Sequence, residues 1–163
     1  NQGEQDMTSN VLEQQVARLA SIEDIKQLKA RYCLFCDNGY DPKGISECFV
    51  DDGVWDGGSE FGCYEGKKAI HDFFAGATGL ILFAAHLVMN PIIEVSGDTA
   101  SGKWRLIMPC TMPDDAGTPE ARWLLSDYSE TYVQVNGQWL FKSLKVNNQF
   151  LASHASGWAD QTS

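Results

Sequence analysis

The stretch RWLLSDYSETYVQVNGQWLFKSLKVNNQFL, residues 122–151, decides the fold class. Aromatic, β-branched and aliphatic residues recur along its two halves, as they do in strands that bury one face. Asn136 and Gly137 stand between the halves, and an Asn-Gly pair between two such runs is the strongest short-range signal of a β-hairpin. The stretch therefore predicts two long antiparallel strands joined by a tight turn.

Further β-rich runs precede this hairpin, beginning after residue 80. The turn-like segments SGDT, residues 96–99, and PDDAGTPE, residues 113–120, divide them. The first half of the chain carries helical patterns instead, so helices come first and a meander of strands follows. This order is typical of an α+β protein. We expect a conical, curved antiparallel sheet of about five or six strands around the N-terminal helices, an α+β barrel with one open mouth.

Two helices are predicted at the N-terminus. The first covers residues 10–19, and the second begins at Ser21 as an N-cap, with Asp24 at the third helical position. The second helix ends at DNG, residues 37–39, where Gly39 or Asn38 suits a left-handed cap. Short helices are expected at 41–49, with Asp41 as the cap, and at 65–77. The apolar stripe of the second helix should face the core, and it consists of Ile22, Ile25, Leu28, Tyr32 and Phe35.

Length and charge narrow the possible functions. The chain has 163 residues, which fits one domain, and its net charge of −10 would repel nucleic acid and anionic membranes. The polar N-terminus does not resemble a signal peptide, and the five cysteines are an odd number, so we expect a reduced, cytoplasmic protein. Phosphate-binding glycine loops, dinucleotide motifs and metal-ligand clusters are missing from the sequence, so we expect no cofactor and no metal.

Cys33 and Cys36 form a Cys-x-x-Cys pair near the end of a predicted helix. A redox pair needs a helix N-terminus, where the helix dipole lowers the thiol pKa, and a zinc site usually needs two such pairs. We therefore interpret both as buried structural cysteines, with redox or metal chemistry as the alternative.

Tyr32, Asp37 and His86 are the candidate catalytic residues. His86 is expected in the middle of a strand, LFAAHLVMN, where an imidazole suits proton transfer but can equally be a hydrogen-bonded core side chain. Tyr32 and Asp37 are five residues apart, about 140° around a helix, so they converge only if the helix loosens at DNG. From the residues alone, a packed tyrosine and a capping aspartate remain open alternatives.

Strand alternation supplies a pocket lining. Trp104 and Met108 share one face of their strand, Tyr128 lies on the next and Asn148 on the last. With Trp55, these residues are expected to line a substrate pocket. His154, in the C-terminal tail, either decorates the surface or folds over the pocket mouth.

The ordered motifs resemble a known family. IEDIKQLKARYCLFCDNGYDP, FVDDGVWDG, YEGKKAIHDFF, AAHLVMNPIIEVSGDTASGKWRL and VNGQWLFKSLKV are similar to the SnoaL-like group of nuclear transport factor 2-like proteins. The resemblance is to the dehydratase branch, with bile acid 7α-dehydratase and scytalone dehydratase. It places one SnoaL-like domain at residues 8–155, leaves residues 1–7 as an added or disordered tail, and implies a deep pocket and a homo-dimer or homo-trimer.

The resemblance also implies a catalytic role for Tyr32, Asp37 and His86, which match the family's tyrosine, aspartate and histidine. Met108 stands where a bile acid dehydratase has an acidic residue, and an arginine of that relative is missing near Asn148, so a bile acid thioester is not the expected substrate.

We expect a cofactor-independent lyase that removes water from a small hydrophobic molecule, aromatic or polycyclic. One alternative is a C–C lyase that releases formaldehyde from a lignin-derived diarylpropane alcohol. Others are an isomerase that moves a double bond and a non-catalytic binding or dimerisation module. Neither nucleic acid nor a membrane is an expected partner.

Overall fold

The first helix is longer than the sequence predicts. The computed structural model describes the backbone of residues 2–159 and the side chains of residue 7 and residues 9–159, and helix α1 spans Gln2–Asp37. The predicted break at Ser21 was wrong, since residues 4–38 contain neither glycine nor proline and a single serine does not end a helix. The predicted boundaries of the domain, residues 8 and 155, stay a prediction.

The predicted apolar stripe of α1 is confirmed. Ile25, Leu28 and Tyr32 are buried, while Ile22 and Phe35 are partly exposed. Because these residues recur every three or four positions, one side of α1 packs against the core.

Short elements follow α1 and lead into the sheet. Asp41 caps the second helix as predicted, because its side chain accepts a hydrogen bond of 3.1 Å from the backbone N–H of Lys43. The elements are α2 (Pro42–Glu47), β1 (Phe49–Asp56), α3 (Gly58–Phe61), β2 (Cys63–Glu65), α4 (Lys67–Gly76) and a 3₁₀ turn at Ala77–Gly79.

Long strands make up the second half of the described chain. They are β3 (Phe83–Ala84), β4 (Leu87–Ser96), β5 (Thr99–Pro113), β6 (Pro119–Val135) and β7 (Gln138–Ser153). Asn136 and Gly137 form the predicted two-residue turn between β6 and β7, with φ values of 50° and 79°. Two left-handed residues in a row are what a hairpin turn that matches the strand twist requires.

The α+β class is confirmed, with differences in the sheet. Within residues 2–159 the sheet has seven strands rather than the expected five or six. Their order is β2-β1-β7-β6-β5-β3, and β4 also pairs with β5. It is curved but not closed, since its two ends do not pair. The sheet is mixed, because β1 runs parallel to β7 whereas the prediction was antiparallel throughout. β1 follows α2 in the chain and lies beside β7, the last strand, running in the same direction.

One face of the sheet forms the core. Along β5, the residues at alternate positions from Ala100 to Cys110 are buried and those between them are more exposed. The same alternation places Tyr128, Glu130 and Tyr132 of β6 inside. None of the helices found between residues 2 and 159 combines the length and the apolar character needed to cross a membrane.

Candidate active site

Asp37 and His86 form a hydrogen-bonded pair although 49 residues separate them in the chain. The Asp37 Oδ1 atom lies 2.7 Å from His86 Nδ1. The backbone N–H of His86 donates to the same carboxylate, at 3.0 Å to Oδ1 and 3.2 Å to Oδ2. A carboxylate at this position favours the imidazole with its proton on Nδ1, so Nε2 is the ring nitrogen left to accept a proton.

Breaks in two elements bring this pair together. Asp37 is the last residue of α1, where Gly39, with φ of 79°, turns the chain as predicted. His86 lies in the gap between β3 and β4, so its predicted place in the middle of one strand was wrong. The gap leaves its backbone N–H free of the β-ladder, and Asp37 accepts that hydrogen bond instead.

Helix α1 does not loosen before Asp37, so the convergence of Tyr32 and Asp37 that we considered does not occur in that way. Asn38 N–H still bonds to the carbonyl of Leu34, at 3.0 Å. Tyr32 and His86 line one cavity, and Asp37 is held behind the imidazole rather than in the cavity wall. The carboxylate therefore reaches the cavity only through His86.

The Tyr32 hydroxyl is buried and oriented. Trp55 Nε1 donates to its oxygen at 2.8 Å, so Tyr32 keeps its own hydroxyl proton to donate, and the Cys36 sulfur is one acceptor within its reach. Burial raises the pKa of Tyr32 well above its usual value, with the neighbouring Cys36 adding to the rise. The phenol is therefore neutral across the physiological pH range.

The cavity is small and mostly aromatic or aliphatic. Its volume is about 50 Å³, about a third of that of an engineered cavity that holds benzene. A ring can enter only when lining side chains move. The lining residues are Tyr32, Tyr40, Trp55, Phe61, Phe73, Phe74, Ala77, Leu80, Ile81, His86, Leu106, Met108, Leu124, Tyr128 and Val146.

Three of the five predicted pocket residues line this cavity, namely Trp55, Met108 and Tyr128. Trp104 and Asn148 do not. Trp104 is on the predicted face but further along β5, where its Nε1 donates to the Tyr132 hydroxyl at 3.0 Å. Asn148 accepts a hydrogen bond from the Ser126 hydroxyl at 2.6 Å instead. Alternation along a strand gives the face of a residue but not its depth along the cone.

Tyr40 is a cavity residue that the sequence reasoning missed. It has a left-handed backbone with φ of 54°, which is uncommon for a bulky residue and often found at functional sites. Its ring stacks on Phe74 with centroids 5.9 Å apart and meets the His86 ring edge to face at 6.2 Å. Burial raises the pKa of Tyr40 well above its usual value, so its hydroxyl also stays protonated. Its position directly after Gly39, in the turn that ends α1, was the sequence signal that could have identified it.

The reasoning also missed a buried ion pair beside the cavity. Lys29 and Glu130 have fully buried side chains, with Nζ 2.5 Å from Oε1. The ammonium lies 3.2 Å from the centre of the Tyr128 ring, so a charged group touches the outer side of the cavity wall. The two partners are 101 residues apart, and local patterning offers no signal for such a pair.

Cys33 and Cys36 are buried free thiols, consistent with the structural role that we expected. Burial raises the pKa of Cys33 to about 11 and also raises that of Cys36, which keeps both thiols protonated at neutral pH. Among the described residues, histidine, cysteine and acidic side chains do not assemble into a group of three that could hold a metal ion.

The C-terminal tail packs away from the cavity. His154 Nδ1 accepts a hydrogen bond of 3.0 Å from Trp123 Nε1. Trp158 meets Trp123 edge to face at 5.9 Å and covers part of a separate apolar pocket. Within this chain, His154 is therefore not part of the cavity lining.

Fold and site together point to one family, and the comparison with known proteins agrees. The family model described as the SnoaL-like domain matches residues 17–145, so the chain belongs to this family. No curated protein matches the chain.

Solved structures share the fold at low sequence identity. A candidate scytalone dehydratase from Novosphingobium aromaticivorans superposes with a TM-score of 0.74 at 21% identity, covering 84% of this chain and 89% of that one. The hexachlorocyclohexane dehydrochlorinase LinA-type3 from Novosphingobium barchaimii gives 0.76 at 20%, covering 86% and 94%. A variant of Rv3472 from Mycobacterium tuberculosis, described as of unknown function, gives 0.67 at 24%, covering 81% and 73%. These likenesses establish the fold.

Proposed function

We propose that this chain is a cofactor-independent lyase in which His86 is the general base. The observation that carries the proposal is the 2.7 Å contact between Asp37 Oδ1 and His86 Nδ1 at the wall of an apolar cavity. The contact holds the ring, favours the tautomer with a free Nε2 and stabilises the imidazolium that forms on proton uptake.

The proposed reaction is the loss of water from a β-hydroxy carbonyl compound. His86 Nε2 takes the proton from the carbon next to the carbonyl group, and the carbonyl oxygen gains negative charge. Tyr32 donates a hydrogen bond to that oxygen. The C–O bond then breaks, a C=C bond forms, and the departing oxygen takes the proton back from His86 and leaves as water. Each proton-transfer group contributes roughly 10²–10⁴-fold to the rate.

The cavity supports a compact substrate with a flat, apolar part. Its walls include Trp55, Phe73 and Phe74, and aromatic walls favour a flat ring. At about 50 Å³ the closed cavity must widen even for a single ring, and a single ring requires less widening than a polycyclic molecule. Ala77 of the 3₁₀ turn and the exposed Leu80 line the cavity, and we propose that this segment moves to admit a ring.

A substrate panel tests the proposal. Purified protein is incubated with single-ring β-hydroxy carbonyl compounds and with aryl-propane diols. The masses of the products are measured by mass spectrometry. We expect the loss of water from the first group. Loss of formaldehyde from the diols would support the C–C lyase alternative, and a moved double bond at constant mass would support an isomerase.

Variants connect the activity to the site. His86→Ala should lower turnover by about 10²-fold or more, and Tyr32→Phe by about 10-fold to 10²-fold. His71→Ala is the matched control, because His71 also pairs with an aspartate, Asp72, but on the surface of α4 at 3.3 Å. Full turnover in His86→Ala would remove the proposed base.

The expected partner is the small hydrophobic substrate itself, and the homo-dimer or homo-trimer stays a prediction. A stripe of exposed apolar residues on the first half of α1 is compatible with association between copies, and it consists of Met7, Val11, Leu12, Val16 and Leu19. Sedimentation of the purified chain would give the number of copies.

A further inference from the structure

The buried pair of Lys29 and Glu130 belongs to a chain of hydrogen bonds in the core. Glu130 accepts one hydrogen bond from Lys29 and one from the Tyr132 hydroxyl, and Tyr132 in turn accepts from Trp104 Nε1 at 3.0 Å. Burying two charges is costly, and apolar side chains of similar volume often stabilise a fold equally well. Stability alone therefore does not account for this pair.

The Lys29 ammonium also touches the cavity wall from behind. Its Nζ lies 3.2 Å from the centre of the Tyr128 ring and 5.1 Å from that of Tyr32. Aromatic faces attract cations, most strongly where water is excluded. The cation also affects the phenol. A positive charge nearby favours negative charge on the phenol oxygen and so makes its O–H a stronger donor.

The Tyr128 hydroxyl can pass this effect on to a ligand. Tyr128 lines the cavity, and its hydroxyl takes part in none of the side-chain hydrogen bonds found among residues 9–159. Burial makes it a neutral donor, since it raises the pKa of Tyr128 well above its usual value. The cavity thus offers a donor on strand β6 whose ring lies against a buried cation. The Glu130 carboxylate, which pairs with that cation, acts in the opposite direction and adds to the rise in the pKa of Tyr128.

We propose that Lys29 is a positioning residue that polarises the Tyr128 hydroxyl, and that Tyr128 donates its hydrogen bond to a negatively charged oxygen of the ligand. The ligand class is a small enolate or phenolate with one anionic oxygen on a flat carbon frame. This inference rests on the proposed function only in that an enolate oxygen would form in the cavity. It adds a second donor to Tyr32.

A pair of matched probes tests the inference without turnover. Pentafluorophenol is ionised at neutral pH, and pentafluorotoluene has the same ring with a methyl group in place of the oxygen. Binding of each probe is followed by ¹⁹F NMR with the wild-type chain and with Lys29→Met. We expect the variant to bind the phenolate about tenfold more weakly and the toluene analogue within about twofold of wild type.

A double-mutant cycle identifies the path. If Lys29 acts through the Tyr128 hydroxyl, Lys29→Met has no further effect on phenolate binding once Tyr128→Phe is present. Because Lys29→Met leaves Glu130 buried and unpaired, Lys29→Met combined with Glu130→Gln serves where the single variant does not fold. Lys26→Met is the control, since Lys26 lies on the same helix with its ammonium in solvent beside Glu23.

Three results would overturn the inference: wild type that binds the two probes equally or binds neither, Lys29→Met that weakens both alike, and effects that add in the Tyr128→Phe background. None of them touches the lyase proposal, which depends on turnover and on His86. Conversely, a chain that prefers the phenolate in a Lys29-dependent manner but turns over no substrate would keep this inference and lose the lyase.

Discussion

Asp37 accepts hydrogen bonds from both the backbone and the side chain of His86 through one carboxylate. The end of α1 is thereby joined to the gap between β3 and β4. The arrangement fixes the position of His86 as well as the orientation of its ring. Asp37 is thus a structural anchor and an electrostatic partner at once, and its two roles can be separated experimentally.

Asp37→Asn tests the electrostatic role. The amide oxygen can still accept from the backbone N–H of His86, but the negative charge that stabilises an imidazolium is gone. We expect turnover to fall by about 10²-fold or more, while the free energy of unfolding changes by about 1 kcal/mol. Steady-state kinetics and urea denaturation measure the two effects. Asp72→Asn alters the surface Asp–His pair and should change neither; equal turnover in both variants would contradict the role of Asp37.

Tyr40→Phe tests the cavity residue that sequence reasoning missed. Phenylalanine keeps the stacking on Phe74 and removes only the hydroxyl, so stability should stay within about 1 kcal/mol of wild type. If the hydroxyl contacts the substrate, turnover should fall about tenfold. Tyr64→Phe is the matched control, since Tyr64 stacks on Phe73 at 4.3 Å but does not line the cavity. An unchanged rate in Tyr40→Phe would make Tyr40 a packing residue.

Met108→Ala should widen the range of substrates. Met108 is almost fully buried and lines the cavity, so its truncation adds space at a cost of about 2–5 kcal/mol in unfolding free energy. We expect the ratio of kcat/KM for bulkier β-hydroxy carbonyl compounds to kcat/KM for single-ring ones to rise in this variant. Met112→Ala, on the same strand but outside the lining, should leave that ratio unchanged. A ratio that does not move in Met108→Ala would show that the cavity does not select by size.

Alkaline pH should destabilise the fold through Cys33. Burial raises the pKa of its thiol from the usual 9.0 to about 11, so the folded chain holds this proton more tightly than the unfolded chain does. The resulting stability is fully present below about pH 9 and is lost as the pH rises through about 11, a change of about 3 kcal/mol. Denaturant titrations across this range should show that the free energy of unfolding of Cys33→Ala falls less steeply with pH than that of wild type. Cys63→Ala, at an exposed thiol, should decline like wild type; the same slope for Cys33→Ala would contradict the assignment.

Local signals predicted most of the fold. The alternation along β5 and β6, the Asn136-Gly137 turn and the Asp41 cap depend on neighbours a few residues away, and all three were confirmed. The break at Ser21 failed because a capping pattern does not end a helix that has favourable residues on both sides.

The candidate site was only partly predictable, because its contacts join residues that are far apart in the sequence. Tyr32 and His86 were found as residues, but Asp37 meets His86 through a gap between strands rather than through the phase of a helix. Lys29 finds Glu130 across 101 residues, a contact that exists only once the sheet has formed. Such contacts depend on the path of the chain in three dimensions, and sequence periodicity reports only one element at a time.

The central claim is that Asp37 leaves His86 with a free Nε2 atom toward the cavity. Long-range ¹H–¹⁵N NMR of histidine-labelled protein at neutral pH reads this directly, because it shows which ring nitrogen carries the proton. We predict that the neutral form of the His86 ring carries its proton on Nδ1, with Nε2 unprotonated, and that Asp37→Ala removes this preference. A His86 ring with its proton on Nε2 in the wild-type chain would contradict the account.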